Sequence, residues 1–186
     1  MTLGEMKKKV FGMIEELSPD NPLLTEDPDI QLKVNEVVNQ VMYELARLKK
    51  IAKYVEMNVT KGDLIGFEEI GTAVGYEVYQ LGTIGGVMYT PKANGTILKI
   101  LESGTAEIDC YVYPERIDSK TKDTYEFELS PDVLEVMPYG IAADLLKSDV
   151  SSEYGNIYAA RYETLIQRLD PRNHAGVVFI EGGIDI

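Results

Sequence analysis

Apolar residues recur along the chain with two different periods, and the switch between them divides it into three zones. In residues 1–54 the spacing is three and four. Leu3, Met6, Val10, Met13, Ile14 and Leu17 make one apolar stripe, the mark of a short amphipathic helix. Ser18-Pro19-Asp20-Asn21-Pro22 ends it, because two prolines among turn formers cannot carry a helix onward. A second helix is expected from Pro28 or Asp29, since proline suits a first turn and Asp27 and Asp29 suit the positive end of the helix dipole. Ile30, Val34, Val37, Val38, Val41, Leu45, Leu48 and Ala52 form its apolar face, while Lys33, Glu36, Gln40, Glu44, Arg47 and Lys50 lie mostly off it. Arg47, Lys49, Lys50 and Lys53 complement the negative end. About 25 residues at ~1.5 Å each give a rod of ~37 Å. A helix that long in a chain of this size packs several partners, within the chain or across subunits.

Residues 55–129 switch to period two. Val55, Met57 and Val59 alternate with Glu56 and Asn58. Ala106, Ile108, Cys110 and Val112 alternate with Thr105, Glu107, Asp109 and Tyr111. Tyr125, Phe127 and Leu129 alternate with Glu126 and Glu128. Each is the signature of a half-buried strand. Asn94-Gly95 is a turn pair ahead of a strand beginning at Thr96, and Ser103-Gly104 is expected to fold that strand back on the one starting at Thr105. The glycine-rich span 62–104 reads as a β region with long loops, with Leu64–Gly86 as its mobile stretch.

Residues 130–186 return to helix. Ser130-Pro131 is an N-cap with a first-turn proline. Leu134, Met137, Ile141 and Leu145 form a stripe interrupted by Pro138, which predicts a kink or a fresh helix start. Ser151 or Ser152 caps a further helix with Tyr154, Ile157, Tyr158, Tyr162, Leu165 and Leu169 inward. Asp170-Pro171-Arg172-Asn173 ends it, and 176–186 read as a short terminal strand or extended tail. The fold expected is α+β: a helical core of about four helices (1–54 and 130–175), an inserted antiparallel β domain (55–129), and an extended C-terminal tail (176–186).

Composition narrows the function classes. With 186 residues and 45% apolar content, the chain can bury a core without disulfides or metals. One Cys and one His exclude a disulfide framework and a four-ligand zinc site. Lys and Arg number 18 against 31 Asp and Glu, a net charge of −13. That balance argues against wrapping duplex DNA, where affinity comes from cations displacing counterions, and against acidic membranes. By zone the net charge is −1, −7 and −5, so the acidity sits on the β region and the C-terminal helices. The first residues, with Glu among the lysines and no long apolar run, read as neither a signal nor a transit peptide. No run approaches the ~18 apolar residues of a membrane span.

No catalytic set emerges. His174 is the one candidate base and lies in a polar loop sequence with no Gly-x-Ser-x-Gly elbow anywhere in the chain. Cys110, on the apolar face of an alternating strand, reads as a small buried hydrophobe. Glu68-Glu69 and Asp118 with Asp123 are carboxylate pairs of the kind a glycosidase needs, but with 31 acids a solvated face explains them. Asp20, Glu26, Asp27 and Asp29 lack calcium-loop spacing, and Gly85-Gly86 has no following Lys. The Lys7-Lys8-Lys9 run reads as the solvated face of the first helix. Twelve Tyr and no Trp fit two readings equally, core edges with their hydroxyls in water or interfaces, because Tyr joins apolar area to a polar tip. The reading is a non-enzymatic interaction or assembly module without a cofactor.

Specific strings then carry a resemblance. Val136-Met137-Pro138-Tyr139-Gly140-Ile141-Ala142-Ala143-Asp144-Leu145-Leu146, followed by Tyr154-Gly155, Ala159-Ala160-Arg161-Tyr162-Glu163 and Leu169-Asp170-Pro171-Arg172, resembles the C-terminal half of the head–tail connector, or neck adaptor, proteins of tailed bacteriophages. The Leu17-Ser18-Pro19-Asp20-Asn21-Pro22 segment before a long helix is similar to the first half. About 110 residues are covered, and the β zone departs from the plainest all-helical members as an insertion. The resemblance implies a structural virion protein made in the host cytoplasm and located in the neck at the portal vertex. It implies a homo-oligomeric ring, usually twelvefold, on the portal protein, bound in turn by a tail or tail-completion protein and extending the DNA channel for genome ejection. Twelve copies would carry roughly −150, and such a lumen would let DNA pass without binding it. The alternatives are another neck or tail component, such as a tail terminator or baseplate protein with a sandwich of more than about seven strands, and a carboxylate-based hydrolase.

The partner-binding residues expected on this reading are Val177, Phe179, Ile180, Gly182, Gly183 and Ile184 of the tail, with Tyr139, Tyr154 and Tyr158 of the last helices. Deleting 176–186 is expected to abolish portal binding in a pull-down while circular dichroism stays unchanged; retained binding removes the tail from the contact.

Overall fold

The computed structural model describes residues 1–15, 27–147 and 153–169. Helix α1 (Leu3–Met13) opens with a capping box in which Thr2 Oγ1 accepts from the Glu5 N–H and the Glu5 carboxylate accepts from the Thr2 N–H. Helix α2 (Pro28–Leu48) is capped by the Asp27 carboxylate, which accepts from the Asp29 and Ile30 N–H groups. It runs 21 residues, ~31 Å. The expected 25-residue rod is too long: Ala52 belongs to the first strand, where the period has already changed to two.

Six strands form two antiparallel three-stranded sheets among the described residues. One has the order β1 (Ile51–Val59), β6 (Gly104–Val112), β3 (Val78–Gly85). The other has the order β2 (Leu64–Gly66), β5 (Ile97–Ile100), β4 (Tyr89–Lys92). β1 and β6 pair over their full length, from Ile51 opposite Val112 to Val59 opposite Gly104. Their alternation works as expected: Ala106, Ile108, Cys110 and Val112 are buried while Thr105, Glu107 and Asp109 are exposed. The fold is therefore α+β, with five α-helices described.

Three expectations for the β zone fail, each for a local reason. The Ser103-Gly104 hairpin does not form, because β5 pairs with β2 and β4 while β6 pairs with β1 and β3. The chain turns from one sheet into the other at 101–103. Leu64–Gly86 is not a long loop but β2, helix α3 (Phe67–Val74) and β3. Its glycines are caps and close approaches. The Glu69 carboxylate accepts from the Gly66 N–H, Gly75 ends α3 at φ 77°, and a Cβ on Gly71 would lie 2.7 Å from the Tyr76 carbonyl. Tyr125–Leu129 keep their alternation, with Phe127 and Leu129 buried, but make one isolated bridge, Glu126 to Thr2. The partner there is a stub that becomes α1 at the next residue, so no ladder can grow.

Two apolar clusters result. The helical one joins α1, α2, helix α4 (Pro131–Leu146) and helix α5 (Glu153–Leu169), and it takes in Ile117, Phe127 and Leu129 from the irregular stretch after β6. The second holds β1–β6 and α3, and Ile51 packs against both. Pro138 sits inside α4 without dividing it. Ser130 stands at the N-cap position of α4 but bonds the Asp132 carboxylate rather than the first-turn amides. That bond is the main reason Asp132 ionises below the usual carboxylate range.

The stretch after β6 is tied to α2 by the one buried polar side chain among the described residues. Asn39, 3% exposed, donates through Nδ2 to the Ile117 carbonyl (2.7 Å) and accepts through Oδ1 from the Ile117 N–H (2.8 Å). Both backbone groups of a nearly inaccessible residue are thus satisfied by one amide. Asn39→Ala leaves that pair unpaired and is expected to destabilise the fold by about 2–4 kcal/mol. In urea unfolding this appears as a lower midpoint at unchanged slope; a shift under about 0.5 kcal/mol contradicts the clamp.

Candidate interaction surfaces

Helices α4 and α5 form an antiparallel pair whose spacing is set by two glycines. A Cβ on Gly140 would lie 2.8 Å from the Tyr162 ring and 3.0 Å from Val41 Cγ1, and one on Gly155 would lie 3.3 Å from Leu146 Cβ. The Tyr162 ring therefore occupies the hollow over Gly140, and its hydroxyl donates to Glu44 Oε2 of α2 at 3.0 Å. Burial, and then the Glu44 charge, drive that hydroxyl's pKa strongly upward.

The three tyrosines expected to meet partners separate here. Tyr139 and Tyr158 contact each other at 6.4 Å between ring centroids, and the Tyr158 hydroxyl donates to the Met13 carbonyl of α1. Tyr158 packs against the helical core and Tyr139 is half-buried beside it. Tyr154 and Ile157, expected to point inward, are each 59% exposed. α5 lies chiefly against α4, so a narrow face made of Tyr158, Tyr162, Leu165, Ile166 and Leu169 is covered. Tyr154 and Ile157 fall on its flank, with exposed Arg161 one turn on. Val177, Phe179, Ile180, Gly182, Gly183, Ile184 and His174 lie outside the described residues, as does the Ser18–Pro22 break.

A second surface lies where the two clusters meet. Tyr113 stacks between Tyr43 of α2 (centroids 4.7 Å) and Tyr79 of β3 (4.6 Å). The Arg47 Nε donates to the Tyr113 hydroxyl, and the Tyr79 hydroxyl donates to the Ala46 carbonyl at 2.9 Å. An open groove of about 520 Å³ runs beside this stack, rimmed by Glu36, Glu44 and Glu77 but also by Arg47 and Arg116. Arg116 reaches Glu36 at 2.7 Å. With its cations and anions intermixed, the groove fits a riveted joint better than a reaction centre. The sequence reading passed over Asn39, Tyr79 and Tyr113, and gave Arg47 only the role of complementing the negative end of α2. The signal available was Asn39 itself, an amide on the apolar side of α2 between Val38 and Val41.

The third surface is the open face of the β1–β6–β3 sheet. Register places Glu56 directly opposite Glu107 and Tyr54 opposite Asp109, all exposed. Among the described residues none of these three acids is in an ion pair. The Tyr54 hydroxyl, on a side chain 54% exposed, donates to Glu56 Oε1 at 2.9 Å. That bond, with the charges of Glu56, Glu107 and Asp109 adding to it, pushes the phenol up to about 12. Cys110 points to the other side of β6, where burial raises its thiol's pKa, so it is not a reactive thiol. Among the described residues no three His, Cys, Asp or Glu side chains are disposed to hold a metal ion, and no helix is long and apolar enough to cross a membrane.

The Tyr54 shift sets a pH window. The phenol's folded pKa lies above its unfolded value near 10, so the stability from its hydrogen bond is complete below pH ~10 and lost as pH rises through about 12. Glu56→Gln removes the acceptor charge and should return the Tyr54 ring carbon resonance, followed by NMR, to a midpoint nearer 10; an unmoved midpoint contradicts the assignment. Compared with known proteins, no family model matches the chain and no curated protein matches it.

Proposed function

We propose that this chain is a structural subunit that assembles through its surfaces into a ring, acting as a head–tail connector on the portal of a tailed phage. Its partners on this reading are the portal protein, a tail or tail-completion protein, neighbouring copies of itself, and passing DNA that it does not bind. The observation that carries the proposal is the α5 flank: a rigidly seated helix that offers Tyr154 and Ile157 to solvent instead of to its own core. Aromatic and aliphatic side chains so presented are the composition of interface centres. Two features support it further. Among the described residues the strands fall into two three-stranded sheets, short of the large sandwich that a tail terminator reading would want. The groove beside the tyrosine stack is open and mixes cations with anions, unlike an enclosed pocket with converging acids.

Electron microscopy of the purified chain, alone and mixed with the portal protein of the same phage, tests the proposal. The expected result is a ring stacked on the portal vertex. A chain that stays monomeric and leaves the portal bare overturns it.

A further inference from the structure

A chain of net charge −13 meets long-range repulsion from its own copies, so a contact between copies needs a place where the sign reverses locally. The α5 flank is such a place. Tyr154 and Ile157 supply apolar area, and Arg161 beside them is exposed and outside every ion pair among the described residues. Tyr and Arg are the residue types that dominate the energetics of interface centres. The open sheet face has the opposite character. Glu56 and Glu107 oppose each other across β1 and β6, a pairing that costs stability within the chain. Asp109 extends the row, and Tyr54 adds a ring that a guanidinium can cover.

Taking the ring reading above as its basis, we infer that the Tyr154–Ile157–Arg161 flank of one copy docks on the Tyr54–Glu56–Glu107–Asp109 sheet face of the next. The two faces belong to different apolar clusters, so the contact is head-to-tail and not self-complementary. A contact of that kind closes into a ring when its rotation divides a full turn. Arg161 then lies between Glu56 and Glu107 and relieves the repulsion each chain carries alone.

Charge reversal on the full-length chain tests this. Association is read by sedimentation velocity from micromolar to millimolar chain, and by mass photometry of the chain mixed with the portal. Arg161→Glu and Glu107→Lys are each expected to weaken association about tenfold or more, and the double variant to recover to within about threefold of the parent. Far-UV circular dichroism should stay at the parent spectrum, since all the changed side chains are exposed. If the parent associates while Arg161→Glu is indifferent, or if the double variant is no better than the singles, the interface is overturned and the ring reading stands. A parent chain that associates in neither setting overturns both.

Discussion

The amide of Asn39 is the hinge on which the arrangement of this molecule depends. After β6 the chain leaves the sheet and must cross back to the helices with no regular structure to satisfy its backbone. A buried irregular segment is ordinarily costly, because each unpaired N–H or C=O costs about 1–3 kcal/mol. One side chain on α2 removes that cost at Ile117 by bonding both groups. Ile117, Phe127 and Leu129 can then enter the helical cluster, and the strip from 123 to 127 can meet the N-terminus, where the Leu3 and Gly4 N–H groups donate to the Tyr125 and Asp123 carbonyls. A few residues before the clamp, the Tyr43–Tyr113–Tyr79 stack holds the sheet against α2. Their anchor residues on the returning segment, Tyr113 and Ile117, lie within five residues of each other. Together they fasten the segment that leaves the sheet to α2.

This explains which parts of the structure were legible in the sequence. Periodicity reports one-sided burial, and it succeeded wherever burial is one-sided: α1, the body of α2, β1, β6 and α4. It failed where a different constraint sets the conformation. The glycines of 66–75 cap a helix of eight residues, too short for its period to stand out against them. Strand partners are chosen by the whole sheet, so a turn pair at Ser103-Gly104 could not reveal that the strands on either side of it belong to different sheets. On α5 the stripe was read too wide, because a helix with one main neighbour buries a narrower face than a helix enclosed by three. Of the candidate surfaces, the tyrosine count singled out a residue type that the fold uses in more than one way. Only the fold separates Tyr158, whose hydroxyl donates to the Met13 carbonyl, from Tyr154, which is largely exposed.

Charge contributes little to holding the fold together. The described ion pairs are mostly half-exposed, as in Arg116–Glu36 with side chains 65% and 67% accessible, and pairs of that kind contribute about 0–1 kcal/mol. The acids of the open sheet face do less than nothing for the isolated chain, since Glu56 and Glu107 repel across the ladder. A fold that needed only solubility could spread its negative charge at random over loops. Here Glu107 and Asp109 occupy successive outward positions on the central strand β6, held by ladders on both sides, and Glu56 faces Glu107 from β1. Rigid charge is useful for recognition and of no special use for solubility.

The same argument from rigidity applies to α5. A helix held by apolar contacts alone could rock on its neighbour and present its flank in many orientations, each lost as entropy on binding. Gly140 removes that freedom by letting the Tyr162 ring sink to the α4 backbone, and the bond from Tyr162 to Glu44 ties the helix to α2 as well. Gly155 brings the N-terminal end of α5 close as well, against Leu146. Three points of attachment on two helices fix both the tilt and the rotation of α5. Its exposed apolar pair is therefore displayed in one orientation, already paid for by folding. A flank left exposed by poor packing would sit on a loosely held helix, and this one sits on a helix fastened on either side of Ile157.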